Sequence, residues 1–388
     1  MANSELPEPD ELALAHSERL KALIAASASA AGGVISFAEY MNSVLYEPGL
    51  GYYMAGAAKF GAEGDFITAP EVSPLFGQTM AVQIAEVLDR VGGSVLELGA
   101  GSGKLALSII DSLGSRPDFS YFILEPSAEL MQRQKQLLQT TLSAEIFSSI
   151  AWLDALPATF DGVIIANEVM DALPVERFRV VDGLPQQLCV SNRFAIEARP
   201  ANDALVKAVA AIETDIGQPM PEGYESEICM LLTPWVGSLA ATLQKGILLL
   251  VDYGYPRHEY YSEERNRGTL ACFYRHRTHD DPLFLPGLQD LTAHVDFTAV
   301  VEAGLANELE LIGYASQSAF LLDNDLLGLA DTMRAGTTSE ADRIMLARAI
   351  KTLTLPGEMG ERFQVMVLGK GYDHALQGFR TQDLAYRL

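Results

Sequence analysis

Hydrophobic positions along this chain change their period at recognisable places. Residues 10–31 carry apolar side chains at helical spacing, and Ser36-Phe37-Ala38-Glu39-Tyr40-Met41 starts a second helix behind a Ser cap with Glu three positions on. Two turn-rich stretches follow, Tyr46–Tyr53 and Gly64–Glu71, before a helix around 74–91. From Val95 short apolar runs alternate with helical ones. Strands are predicted near 95–98, 120–125, 143–148 and 161–166, with helices near 104–113 and 126–140. Such alternation specifies a mostly parallel sheet covered on both faces, an α/β fold.

The regular pattern stops after Asp171. Phe178–Val190 reads as a hairpin, a third strand is predicted near 194–198, and two helices lead to Lys245, so that 176–245 forms an inserted α+β lobe. Gly246–Tyr253 then reads as a fully buried strand. Residues 253–296 are rich in Tyr, Arg, His and Pro without clear periodicity; a segment this long is functional or disordered, and its aromatic content argues against disorder. Last strands are predicted near 309–316 and 363–369, separated by helices near 317–330 and 339–353. The domains expected are a helical cap, 1–60, a core in two parts, 61–175 and 246–388, and the lobe between them.

Composition narrows the function. The chain has 388 residues, a formal net charge of −24, and three cysteines far apart, Cys189, Cys229 and Cys272. Such a surface repels a phosphate backbone, so nucleic acid is not expected as a partner, whereas an arginine-bearing protein would be drawn to it. Acidity also serves solubility alone. Neither a signal peptide nor an apolar run long enough to span a bilayer is present, and the cysteines suggest neither a disulfide framework nor zinc. A cytoplasmic protein is expected.

The chemistry is densest at Glu97-Leu98-Gly99-Ala100-Gly101-Ser102-Gly103-Lys104, an apolar strand running into a glycine turn and a helix. Glycines let the backbone approach a ligand and take up left-handed conformations. A dinucleotide fingerprint needs glycine at 104 and a phosphate loop needs Gly-Lys-Ser/Thr; the chain has Lys104-Leu105. Both phosphate readings weaken. Glu125, closing the second strand before Pro126, is placed to accept two ribose hydroxyls, or else is a helix-start acid. Ligands in such sheets bind beyond the strand ends, which adds Ser149 and Ile150 after the third strand and Asn167-Glu168 to Asp171 after the fourth. Two carboxylates, Glu168 and Asp171, could hold a guanidinium, although Asp171 could equally cap a following helix and Asn167 could satisfy loop backbone. His276–Asp281 is flanked by arginines and reads as a hydrogen-bonded loop, leaving no metal site expected. His294-Val295-Asp296 offers two polar side chains to one pocket, or a capped helix start at Asp296.

These segments resemble the MidA-like class I methyltransferases (DUF185). The resemblance rests on Gly64–Ser73, Leu96–Gly103, Asn167-Glu168 through Leu173-Pro174, Asp252-Tyr253-Gly254, Ala293–Phe297 and Leu355–Gly360, and extends over nearly the whole chain. It implies a Rossmann-like seven-stranded sheet with the last strand antiparallel, S-adenosylmethionine as donor, and S-adenosylhomocysteine as product. In the mitochondrial branch, which assembles complex I, it implies a protein arginine as acceptor. It implies cofactor contacts from Glu97, Gly99, Ala100, Gly101, Gly103, Glu125, Pro126, Ser149, Ile150 and Asn167, and from Gly64, Asp65, Phe66 and Thr68 in a loop over the cofactor. Catalytic roles fall to Asn167, Glu168, Asp171, His294 and Asp296, the last two lining the acceptor pocket. Gln78 departs from the mitochondrial branch, which has Glu there, and that bears on acceptor choice. The expected function is therefore a protein-arginine methyltransferase; the rivals are a small-molecule N- or O-methyltransferase and a cofactor-binding assembly scaffold. A homodimer is left open.

Overall fold

A computed structural model describes residues 6–55 and 68–388. The described residues form two compact units: 68–170, 233–254 and 297–388 make one, and 6–55, 171–232 and 255–296 the other. These boundaries differ from the expected domains. The N-terminal helices, the inserted lobe as far as Leu232 and the 255–296 segment share one unit, because they bury their apolar faces on each other.

The first unit is built on seven strands: β1 (Ser94–Leu98), β2 (Tyr121–Leu124), β3 (Ile150–Leu153), β4 (Phe160–Asn167), β5 (Leu243–Tyr255), β6 (Glu310–Ser316) and β7 (Phe363–Lys370). Their order is β6-β7-β5-β4-β1-β2-β3. The pairs from β5 to β3 are parallel, while β7 runs antiparallel to both β5 and β6. That is the expected class of sheet. Ile247 to Val251 are fully buried along β5, so this strand is apolar without alternation, as a sheet covered on both faces requires. Helices Pro74–Val91 and Lys104–Leu113 supply Phe76, Met80, Ile84, Ile109 and Ile110 to the same core.

Two details of this sheet were not in the sequence pattern. The third strand starts at Ile150, and residues 144–147 form one helical turn instead, because Ser143 accepts the Ile146 N–H and caps it. Gly162 in β4 has φ +122, and a Cβ there would lie 2.1 Å from the Ser94 carbonyl oxygen, so the start of β4 meets β1 at a distance only glycine allows. The predicted helix near 317–330 is two, Gln317–Asp323 and Leu326–Gly336.

In the second unit, helices Glu11–Ala30 and Phe37–Tyr46 pack on an antiparallel sheet. Ser36 and Glu39 form the predicted reciprocal cap of the second helix. The hairpin appears as Glu176–Val181 and Leu184–Ser191, joined by Asp182 and Gly183 at φ +52 and +72, a turn whose twist matches that of the strands. The next strand is Ile196–Pro200, two residues later than predicted at each end, and Asp203–Ile216 follows as a helix. Residues 255–296 are ordered, with a short helix, Arg257–Tyr260, and a three-stranded sheet of Ala271–Tyr274, Arg277–His279 and Asp290–Thr292. Among the described residues no helix is long and apolar enough to cross a membrane.

Candidate functional site

Beyond the carboxyl end of β1 the backbone turns through Gly99, Gly101 and Gly103 at φ +61, +54 and +83, all in the left-handed region. The glycines are therefore needed for the turn itself. Their surroundings differ. A Cβ on Gly101 would meet nothing within 4 Å, one on Gly99 would touch only Val169 at 3.4 Å, and one on Gly103 would lie 3.2 Å from Gln134. The Gly99 N–H donates to the Leu124 carbonyl oxygen of β2 at 2.9 Å, and the Gly103 N–H to that of Ala100 at 2.8 Å. Glu71, from the turn of helix that Thr68 begins, accepts from both Ser102 and Lys104. The lysine that breaks the dinucleotide fingerprint thus braces the turn. Gly64, Asp65 and Phe66 lie outside the described residues.

Glu125 ends β2 almost fully buried. One carboxylate oxygen accepts the Ser127 N–H at 3.0 Å and the other accepts Gln134 Nε2 at 3.0 Å. Ser127, not Glu125, caps the helix Ala128–Thr141, while Pro126 is exposed. Burial raises the Glu125 pKa, and the hydrogen bonds it accepts act against that. Each oxygen retains acceptor capacity. Gln134, which nothing in the sequence pattern singled out, also donates to the Gly101 carbonyl oxygen at 2.9 Å and accepts the Trp152 indole N–H at 3.0 Å.

Glu97 is 2% exposed and accepts the Tyr121 hydroxyl at 2.8 Å; burial pushes its pKa up to about 8. It is a core carboxyl inside the sheet. Ser149 is committed to backbone: its hydroxyl donates to the Ile146 carbonyl and its own carbonyl accepts the Tyr121 N–H. Ile150 and Ala100 are buried in the core.

At the end of β4, Glu168 has φ +52, a conformation that a non-glycine residue adopts at a cost. Three contacts hold it there: the Glu168 N–H donates to the Val251 carbonyl at 2.9 Å, Asn167 Nδ2 donates to its carboxylate at 3.2 Å, and the Met170 N–H donates to Asp252 at 3.0 Å. Asp252 is fully buried in β5 and also accepts the Tyr253 N–H, so it anchors the turn that presents Glu168. Asn167 Oδ1 is buried and has no hydrogen-bond partner among the described residues. The orphaned Asn167 acceptor, three left-handed glycines with open space at Gly101, and the remaining acceptor capacity of Glu125 suit a nucleoside cofactor bearing an ammonium group.

The remaining expected residues belong to the other unit. Asp171 is 5% exposed and no helix follows it, so the capping alternative is excluded; its carbonyl accepts the Ala293 N–H. Asp296 is buried. Its carboxylate is held by the Arg257 Nε at 3.1 Å, and Arg257 also pairs with Asp215 at 3.2 Å. The helix Phe297–Leu305 does begin directly after it. His294 packs its ring 5.2 Å from that of Tyr255, and its backbone N–H donates to Thr269 Oγ1 at 2.9 Å. That hydroxyl in turn donates to Glu227, a buried carboxylate that also accepts the Thr269 N–H and, at 3.0 Å, the Tyr260 hydroxyl. The His276 region is a tight hairpin, Arg275 and His276 having φ +47 and +61. Among the described residues no group of His, Cys, Asp or Glu could hold a metal ion.

Comparison with known proteins agrees with this geometry. The Methyltransf_28 family of S-adenosyl-L-methionine-dependent methyltransferases matches residues 79–315. The chain is similar to the mitochondrial protein arginine methyltransferase NDUFAF7 homolog of Drosophila melanogaster, 30% identical over 370 residues, which cover 87% of this chain and 82% of that one. It is equally similar to the Danio rerio protein arginine methyltransferase NDUFAF7, 30% identical over 378 residues, with 87% and 84% covered. A COG1565 superfamily protein of Burkholderia thailandensis, solved with S-adenosyl-homocysteine bound, superposes with a TM-score of 0.90 at 39% identity, covering 99% of this chain and all of that one. The chain belongs to the Methyltransf_28 family and is an S-adenosylmethionine-dependent methyltransferase.

Proposed function

We propose that the acceptor is an arginine side chain of a protein. The observation that carries this reading is Glu168, a carboxylate fixed in a left-handed backbone at the end of β4 by contacts from β5 and Asn167. Residues held in such costly backbone conformations cluster at functional sites. A planar guanidinium is the natural partner, since a carboxylate holds it through two parallel hydrogen bonds and orients the remaining nitrogen. The relatives named above as arginine methyltransferases support the same reading.

S-adenosylmethionine, when bound, supplies an activated methyl group on a sulfonium. The chain's own residues align and dehydrate: Gly99, Gly101 and Gly103 shape the turn, Glu125 receives the ribose hydroxyls, Asn167 Oδ1 accepts from the amino-acid end, and Glu168 orients the guanidinium. Glu97, Ser149 and Ile150 support that floor from the core. Asp171 and His294 are assigned to the acceptor in their own unit, while Asp296, held by Arg257, positions its strand end. Cysteines that are all free support a reducing compartment, and we place the protein in the cytoplasm. A respiratory-complex subunit is the first acceptor to try.

Purified protein, labelled S-adenosylmethionine and a lysate from a strain lacking the enzyme test the reading. Label in a polypeptide that yields methylarginine on hydrolysis, lost with Glu168→Gln, is expected. Label confined to small molecules, or to another amino acid, overturns it.

A further inference from the structure

The side chain of Gln134 is fully buried and makes three hydrogen bonds to three different segments of the cofactor unit. Nε2 donates to the Gly101 carbonyl in the glycine turn and to the Glu125 carboxylate at the end of β2, and Oε1 accepts the indole N–H of Trp152 in β3. A primary amide has two donor hydrogens, and both are used. Turning the amide over would set an N–H₂ against the indole donor and an oxygen against two acceptors, so the orientation is fixed by its partners. Gly103 belongs to the same arrangement: its missing side chain leaves room for the Gln134 stem, which a Cβ would approach to 3.2 Å. The third glycine of the motif therefore admits a side chain of the protein.

We propose that Gln134 is a positioning residue for the nucleoside end of the cofactor, tying the glycine turn to the carboxylate that receives the ribose. The assignment rests on the reading of Glu125 as the ribose acceptor. Glu125 has two oxygens; the Ser127 N–H fixes one and Gln134 the other, so the remaining lone pairs point in set directions before any ligand arrives. A cis-diol needs two acceptor directions together, and a carboxylate that loses one of its donors is held less firmly in both. Preorganisation of this kind acts on cofactor affinity. It does not act on the transfer step, to which Gln134 contributes no group.

A double-mutant cycle on the full-length protein separates this role from a structural one. The dissociation constant for S-adenosylhomocysteine is measured by calorimetry for the parent, Glu125→Ala, Gln134→Leu and the double variant. Gln134→Leu should raise it about 10-fold, or about 1.4 kcal/mol, and the double variant should bind no more weakly than the weaker single one, because Gln134 acts through Glu125. KM for S-adenosylmethionine should rise with kcat at saturating cofactor nearly unchanged. Trp152 gives a second readout, since it touches the same amide: Trp235→Phe protein should keep a fluorescence change on binding and Trp152→Phe protein should lose most of it. If Gln134→Leu fails to fold, Gln134→Met, of similar length and flexibility, carries the same cycle. Additive effects, an unchanged dissociation constant in the Gln134 variant, or a fall in melting temperature alone overturn the proposal. An unchanged constant in Glu125→Ala overturns instead the ribose reading on which it rests.

Discussion

Two buried polar hubs, one in each unit, solve different problems. Gln134 is neutral and spends all its donors and its acceptor oxygen on three partners, leaving the charge on Glu125 with acceptor capacity. Glu227 is a carboxyl group that takes three donors on one oxygen, while its other oxygen is buried without a hydrogen-bond partner among the described residues, set against Gly268, whose added Cβ would come within 2.1 Å. The neutral hub costs little to bury once satisfied, and what it holds remains free for a ligand. The carboxyl hub, its pKa raised by burial, is consumed by the protein: it ties Thr269 and Tyr260 together and, through Thr269, fixes the backbone of His294. A buried carboxyl can thus organise a lobe without being a site, and a buried amide can belong to one.

The sharpest way to break this comparison is Glu227→Ala, which strands the Thr269 N–H and one donor of the Thr269–Tyr260 hydroxyl pair, whose oxygens lie 3.1 Å apart. Each buried group without a partner costs about 1–3 kcal/mol, so a loss of about 3–5 kcal/mol is expected in denaturant unfolding. A loss under about 1 kcal/mol would mean that the lobe does not depend on the hub. Glu168→Gln tests a carboxylate of the other unit, half-buried at the end of β4. Transfer should drop about 100-fold or more, some 2.7 kcal/mol, with S-adenosylhomocysteine affinity unchanged; methylation at the parent rate would remove Glu168 from the chemistry.

Glu97 sharpens the comparison on the cofactor side, because it is a buried carboxyl beside a neutral hub. Its pKa rises from 4.5 to about 8 on folding, so the folded protein keeps a proton that the unfolded chain releases. Its contribution is fully present below about pH 4.5 and is lost as pH rises toward about 8. Melting temperatures across that window should fall with rising pH, and Glu97→Gln should flatten the slope; an equal slope in the variant would show the carboxyl ionised throughout. The smallest effect is expected at Gly101, where a side chain meets no neighbour: Gly101→Ala should cost only about 1–2 kcal/mol from its left-handed backbone. A much larger loss would show that the turn is crowded.

Much of this was legible in one dimension. The Ser36–Glu39 cap, the glycine turn and the strand at Gly246–Tyr253 rest on residues within a few positions of each other, and local chemistry decides such features. The third strand was misplaced by a local rule as well. The alternation of apolar runs placed a strand near 143–148, and the Ser143 cap that makes the segment helical competes at the same range.

The sequence by itself determined the alternation that makes the sheet, the left-handed turn and the carboxylate after each of β1's neighbours, β2 and β4, since these are set by period and by glycine's missing side chain. Tertiary structure alone decided what each carboxylate touches. Gln134 meets Gly101 across 33 residues, Asp252 holds Met170 across 82, and Arg257 takes Asp296 across 39. Hydrogen bonds at such separations exist only once strands and helices have packed, because the entropy of closing those loops is recovered from the buried core and not from the bonds themselves.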